Sequence, residues 1–234
     1  LVLDVHALRG VEALTLKLVA PAVQGEAGTV RGDEISLAGR AESKDRVADV
    51  RLLLKGVAGD VQALSAASLS LDLDARQDTT TLKATLATPV VLRIDGPAVE
   101  LSALEGAFDI AHPSLPMKAV KLPVKGSASA DFGKQTAAMN LDTRLDDSHM
   151  QLKLAVAHFD PPALDFDVDI DALNLDRYLP PSAAKPAGNP DDAPVDLSAL
   201  RGINANGSVT IGQLQASGVK MTNMRLEVKA ANGK

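Results

Sequence analysis

The stretch Ala163-Leu-Asp-Phe-Asp-Val-Asp-Ile-Asp171 decides the fold. Leu164, Phe166, Val168 and Ile170 alternate with Asp165, Asp167, Asp169 and Asp171. Successive side chains of a β-strand point to opposite faces, so one side of this stretch is wholly apolar and the other wholly anionic. A helix, with its period of 3.6, would scatter the same residues around its axis. The stretch is therefore a strand with one dry face and one wet face. The question it raises is what covers the dry face.

The same period of two runs outward through most of the chain. Four strands between residues 124 and 171, at steps of about 8–12 residues, read as an antiparallel meander. Their apolar sides carry Met139 and Leu141, then Met150, Leu152, Leu154 and Val156, then Leu164, Phe166, Val168 and Ile170. These ten residues are the candidate lining of an apolar groove. Upstream, Leu14, Leu16 and Leu18 alternate with Thr15 and Lys17 until Pro21, and a Gly-rich polar turn is expected over residues 25–32. Residues 35–42 and 48–55 read as neighbouring hairpin strands, followed by strands over 69–74, 82–86 and 90–94. Phe108 and Ile110 mark a short strand, and the prolines of residues 114–123 indicate a loop or sheet edge. Downstream, strands are expected over 206–211, 214–219 and 221–229.

Helix is expected only in short turns. Leu101-Ser-Ala-Leu-Glu-Gly106 nearly repeats as Leu197-Ser-Ala-Leu-Arg-Gly202. Each copy follows an acidic residue and ends in Gly, so both read as single helical turns with a cap and a stop. The Ala-rich stretch 61–68 also reads as a short helix, and residues 173–179 as one turn. Residues 180–194 are rich in Pro and read as a solvated linker or long loop. They divide a β-rich core, residues 1–179, from a C-terminal β segment, residues 195–234, that continues the sheet.

Composition narrows the function. The chain is 46% hydrophobic and 23% charged, a balance that folds rather than staying disordered. The net charge is −6 and the basic residues are scattered singly, which argues against nucleic acid as a partner. Aromatics make up only 2%, so the apolar faces are aliphatic. Without cysteine there are no disulfides and no thiol chemistry. No apolar run reaches the ~18 residues of a membrane-spanning helix. Because alternation is already under way at Leu1 and still running near residue 229, the chain reads as a piece of a longer one. Any anchor or signal then lies outside it.

No catalytic constellation is apparent, so an enzyme is not expected, nor a cofactor or metal. His6, His112, His149 and His158 have no partners at metal-ligand spacing and read as polar turn and edge residues. The four aspartates of the opening stretch lack the bend and distal Glu of a calcium loop. A straight strand spaces them about 6.6 Å apart in a row, so they read as a solvated face. Asn206-Gly-Ser208 matches a glycosylation sequon and reads as a bend or a chance match. There is no Gly-rich phosphate loop and no nucleophile elbow.

The C-terminal third carries a family resemblance. Asn174-Leu-Asp-Arg-Tyr-Leu-Pro-Pro181 is followed by a Pro-rich gap and Val195-Asp-Leu-Ser-Ala-Leu-Arg-Gly202. Then come Asn206-Gly-Ser-Val-Thr-Ile-Gly-Gln-Leu-Gln-Ala216 and Lys220-Met-Thr-Asn-Met-Arg-Leu-Glu-Val-Lys229. This series, over residues 164–234, resembles the bacterial AsmA family. The resemblance implies a Gram-negative protein anchored in the inner membrane by an N-terminal helix, with its bulk in the periplasm. It also implies a role in outer-membrane biogenesis and a kinship with bridge-like lipid carriers, whose long curved sheets present an apolar groove. It brings no catalytic residues.

Many strands thus have one dry face, and almost no amphipathic helix exists to cover them. Removing a row of four aliphatic side chains from water is favourable by roughly 6–10 kcal/mol. Two architectures satisfy this: a long curved antiparallel sheet whose apolar groove holds phospholipid or another envelope lipid, or a closed β-sandwich acting as a non-lipid scaffold.

Overall fold

The computed structural model describes residues 1–9, 12–26, 28–113, 115, 117–177 and 204–230. The strands are β1 (Val2–Arg9), β2 (Glu12–Val19), β3 (Val23–Glu26), β4 (Thr29–Glu42), β5 (Arg46–Asp60), β6 (Ala63–Gln77) and β7 (Thr80–Arg93). They continue as β8 (Ala98–Ala111), β9 (Ala119–Asp131), β10 (Thr136–Leu145), β11 (Ser148–Phe159), β12 (Pro162–Asn174), β13 (Asn204–Ala216) and β14 (Val219–Ala230). One 3₁₀ turn, Leu175–Arg177, follows β12.

All fourteen strands belong to one sheet, ordered β1-β2-β4-β5-β6-β7-β8-β9-β10-β11-β12-β13-β14, with β3 paired to β4 beside β2. The sheet is long, curved and not closed. The all-β expectation of a curved sheet therefore holds, and the alternative of a closed sandwich does not. Neighbours are antiparallel throughout, except that β12 and β13 run parallel. β11 and β12 pair as the alternation requires, Leu154 opposite Phe166 and Leu152 opposite Val168.

A sandwich would seal large side chains between two layers. Here the buried apolar residues are Ala20, Val57, Ala66, Ala84, Ala98, Val124 and Leu214, mostly small, and no described side chain is less than 2% exposed. Packing is lateral, between neighbours on one face, as cross-strand pairs provide.

Several local expectations are corrected. Leu101-Ser-Ala-Leu104 is not a helical turn but the middle of β8, where the register against β9 shifts between Leu101 and Leu104. Ladders on both sides outweigh the local capping signal. Residues 63–68 of the stretch expected to be helical are the start of β6, with Leu64 and Ala66 on the apolar face. The turn expected over 25–32 is confined to its tip around Gly28, and the rest is a small hairpin, Val23 opposite Gly32 and Glu26 opposite Thr29. The segments 82–86 and 90–94 are one strand, β7, which accommodates Pro89 at a bulge between Ala87 and Val90. A bulge leaves a residue unpaired, so the missing proline N–H costs no ladder bond. The segments 206–211 and 214–219 are likewise the single strand β13, the turn at 217–218 and the first residue of β14. The expected turns at 197–200 and the linker at 180–194 lie outside the described residues.

The bulge at Leu101/Leu104 has a counterpart in each of the two preceding pairings, at Ala66/Leu69 and Ala87/Val90. Bulges bend a strand and increase its twist, so these three neighbouring ones contribute to the curvature.

Candidate functional site

Residues directly opposite each other in a ladder point to the same side of the sheet. One register row can therefore be followed across the molecule. From β1 it passes through Leu3, Leu18, Leu37, Leu52, Leu71 and Leu86. It continues through Gly106, Val124, Thr143, Met150, Ile170, Ile211 and Met224 on β14. Every position is apolar, glycine or threonine. At a strand spacing of about 4.8 Å, its contour is on the order of 58 Å.

The ten residues expected to line a groove fall on this face together. Met139, Leu154 and Phe166 are register partners in turn, as are Leu141, Leu152 and Val168. Met150 pairs Ile170, and Val156 pairs Leu164. All ten are half-buried and none is buried. They pair sideways across the ladders, and none of the described residues forms a layer over them.

A broad concavity opens elsewhere on the same face. It holds about 730 Å³ between β1 and β7, on a floor of Ala7, Leu14, Ala41, Ala48, Ala75 and Leu82. Charged and polar residues such as Glu12, Arg46 and Gln77 edge it. This volume is in the range of small-molecule sites. Its floor alternates as regularly as the opening stretch does, so the signal was present in the sequence. What singles out this end is sheet curvature, which alternation does not encode. Over β10–β14 a depression of about 440 Å³ lies on the polar side instead, among Asn140, Lys153, Asp165, Asp167 and Ser208.

The polar side is built for water. Asp165, Asp167, Asp169 and Asp171 are all exposed, as the solvated-face reading required. Asp165 accepts from Asn206 Nδ2 at 3.0 Å, and Asp167 from the buried Ser208 hydroxyl at 2.8 Å. Arg40 donates to both oxygens of Asp49, at 3.1 and 2.9 Å, and that hydrogen bond raises the guanidinium pKa further above its usual value. Lys125 pairs with Glu105 at 3.1 Å. Such exposed pairs are screened by solvent, so this face secures solubility more than stability.

Two polar features stand out. His149 Nε2 and Asp142 Oδ2 are 2.6 Å apart, and this hydrogen bond holds the Asp142 carboxyl below its usual range. Thr143, on the apolar row, has a buried hydroxyl with no hydrogen-bond partner. Among the described residues no three His, Asp or Glu side chains gather as a metal site would require. No described helix is long and apolar enough to cross a membrane. Neither the polar pairs nor the lone hydroxyl combines a nucleophile with a base. What the molecule offers is a surface: one aliphatic face, continuous from edge to edge.

No protein-family model, curated protein or solved structure matches the chain.

Proposed function

We propose that this chain belongs to an envelope-biogenesis protein of the AsmA type that binds or conducts lipid along its apolar β-face. The observation that supports the reading is the register row from Leu3 to Met224, apolar but for one glycine and one threonine and covered by no second layer among the described residues. An aliphatic face of this kind is costly to leave wet. Burying a methylene is favourable by about 0.8 kcal/mol, so a sixteen-carbon acyl chain half-buried on the face gains on the order of 6 kcal/mol. Few polar groups interrupt the row, and none demands a particular headgroup. A contour of about 58 Å also exceeds the ~30 Å thickness of bilayer hydrocarbon, which suits passage of a chain along the sheet.

On this proposal the protein acts in the periplasm, held at the inner membrane by a segment outside these residues, and its ligand is phospholipid or another envelope lipid. No chemical step is assigned to it. Native mass spectrometry and solvent extraction of the purified protein test the reading. Bound phospholipid in stoichiometric amount supports it. A monodisperse, stable protein free of lipid, even after incubation with phospholipid, overturns it in favour of a scaffold.

A further inference from the structure

The strands alternate in direction, so the turns gather at two long rims of the sheet, and the rims differ. On one rim, each of the successive connections β5–β6, β7–β8, β9–β10 and β11–β12 displays a large apolar residue within it or at the strand end beside it. These are Val61, 73% exposed, Ile94, 47%, Phe132, 53%, and Phe159, 39%. The connections on the other rim between β4 and β11 carry Lys44 and Asp45, Asp78 and Thr79, and Asp146 and Asp147. Its exception is Met117, in the longer β8–β9 connection.

The apolar rim is also laced together. Ile94 N–H donates to the carbonyl of Gln62 in the preceding turn at 2.8 Å. Phe132 N–H donates to Pro97 O, and His158 N–H to Gln135 O, each at 2.8 Å and each joining one turn to its neighbour. The rings of Phe132 and Phe159 meet edge to face with centroids 6.2 Å apart. Two of the acidic groups at this rim are already satisfied. Asp60 accepts the N–H groups of Gln62 and Ala63, and Asp131 is held by Lys134 at 3.2 Å and Arg93 at 3.9 Å.

We propose that this rim is a contact surface for a lipid bilayer, with Val61, Ile94, Phe132 and Phe159 entering the boundary between headgroups and acyl chains. A protein interface needs a contiguous desolvated core. Tips on alternate connections recur about every 10 Å, and beyond the single Phe132–Phe159 ring contact they join into no such core. A fluid acyl layer accepts each tip separately, and the exposed acidic residues Asp95 and Asp160 direct the choice to a zwitterionic surface. The inference concerns the rim and does not depend on what occupies the apolar face.

The test is flotation of the protein with phosphatidylcholine vesicles. The combined variant Val61→Ser, Ile94→Ser, Phe132→Ser and Phe159→Ser should lose vesicle affinity by on the order of a hundredfold while remaining folded, its melting midpoint lowered by only a few degrees as the Phe132–Phe159 contact is lost. Met117→Ser should float like the wild type. The chain has no tryptophan, so Phe132→Trp supplies a single reporter. Its emission should shift to the blue on adding vesicles, while that of Asp78→Trp on the opposite rim should not. Wild-type protein that does not float, or a four-Ser variant that floats equally well, overturns the proposal. So does binding that requires anionic lipid and disappears in salt. Self-association abolished by the same four substitutions, without vesicle binding, would assign the rim to a second copy instead. Lipid extracted from the same preparation reads out the apolar face separately, so failure of either reading is recognised on its own.

Discussion

Replacing Val168 by Asp places a carboxylate in the middle of the apolar face. Val168 lies opposite Leu152 on one side and Val209 on the other, with Phe166 and Ile170 next on its own strand. It is half-buried, so losing about half of a valine's burial costs roughly 1 kcal/mol. Strand preference adds up to about 1 kcal/mol. On an uncovered face the carboxylate keeps its water, and the expected loss stops near 2 kcal/mol. For a chain of this size that lowers the melting midpoint by about 4–8 °C. In a sealed core the same unpaired charge would cost on the order of 3–5 kcal/mol more, enough to unfold a marginal domain. Bound lipid, by contrast, should fall about tenfold, the effect of roughly 1.4 kcal/mol of lost acyl contact. The assays are a thermal melt followed by circular dichroism and a bound-lipid count by mass spectrometry. Asp169→Ser on the wet face is the control. It is preferable to a change at Asp167, which accepts the hydrogen bond of the buried Ser208. A Val168→Asp protein that no longer folds would refute the uncovered face, and one that keeps its full lipid complement would refute the groove.

Other expectations follow from single residues. Thr143→Val removes a buried hydroxyl that has no partner and should raise stability by about 1 kcal/mol, or 2–4 °C in the melt. A lower midpoint would show that the hydroxyl is satisfied. Gly207 lies against Phe166, where an added Cβ would run into the Phe166 carbonyl oxygen and come within 2.6 Å of ring carbons. Gly207→Val should cost about 1–3 kcal/mol in urea denaturation, and Phe166→Ala should recover part of that loss in the double variant. Asp176, in the 3₁₀ turn, accepts the Gly218 N–H at 3.0 Å together with the Gln215 side chain and the Ser217 N–H. These bonds, led by that from Gly218, hold its pKa below the usual carboxylate value. A lowered native pKa stabilises the fold above the unfolded value of about 3.9, and the contribution disappears as pH falls through the native one. Asp176→Asn should therefore lower the melting midpoint at pH 7 and converge with the wild type in acid. Equal midpoints at pH 7 would exclude the clamp.

The sequence by itself determined strand, face and edge-to-edge polarity, because a period of two is local. Leu164 to Asp171 sort into two faces whatever lies beside them, and the ten candidate lining residues came together for that reason. It left two coverings of the dry side open, a lipid-filled groove or a second sheet, since nothing amphipathic and helical was available. Where local signals competed with the ladder, the ladder won. Leu101-Ser-Ala-Leu104 and residues 63–68 have helix-compatible composition, yet each is flanked by strands that supply hydrogen bonds for an extended backbone. Only the tertiary structure decided that the sheet stays open, that β12 and β13 run parallel, and that an apolar concavity of about 730 Å³ lies between β1 and β7. Those features depend on twist, on bulges at Ala66, Ala87 and Leu101, and on pairings between residues far apart in the chain. The apolar rim was hidden for the same reason. Val61, Ile94, Phe132 and Phe159 look like isolated turn residues until the alternating direction of eight strands brings them to one side.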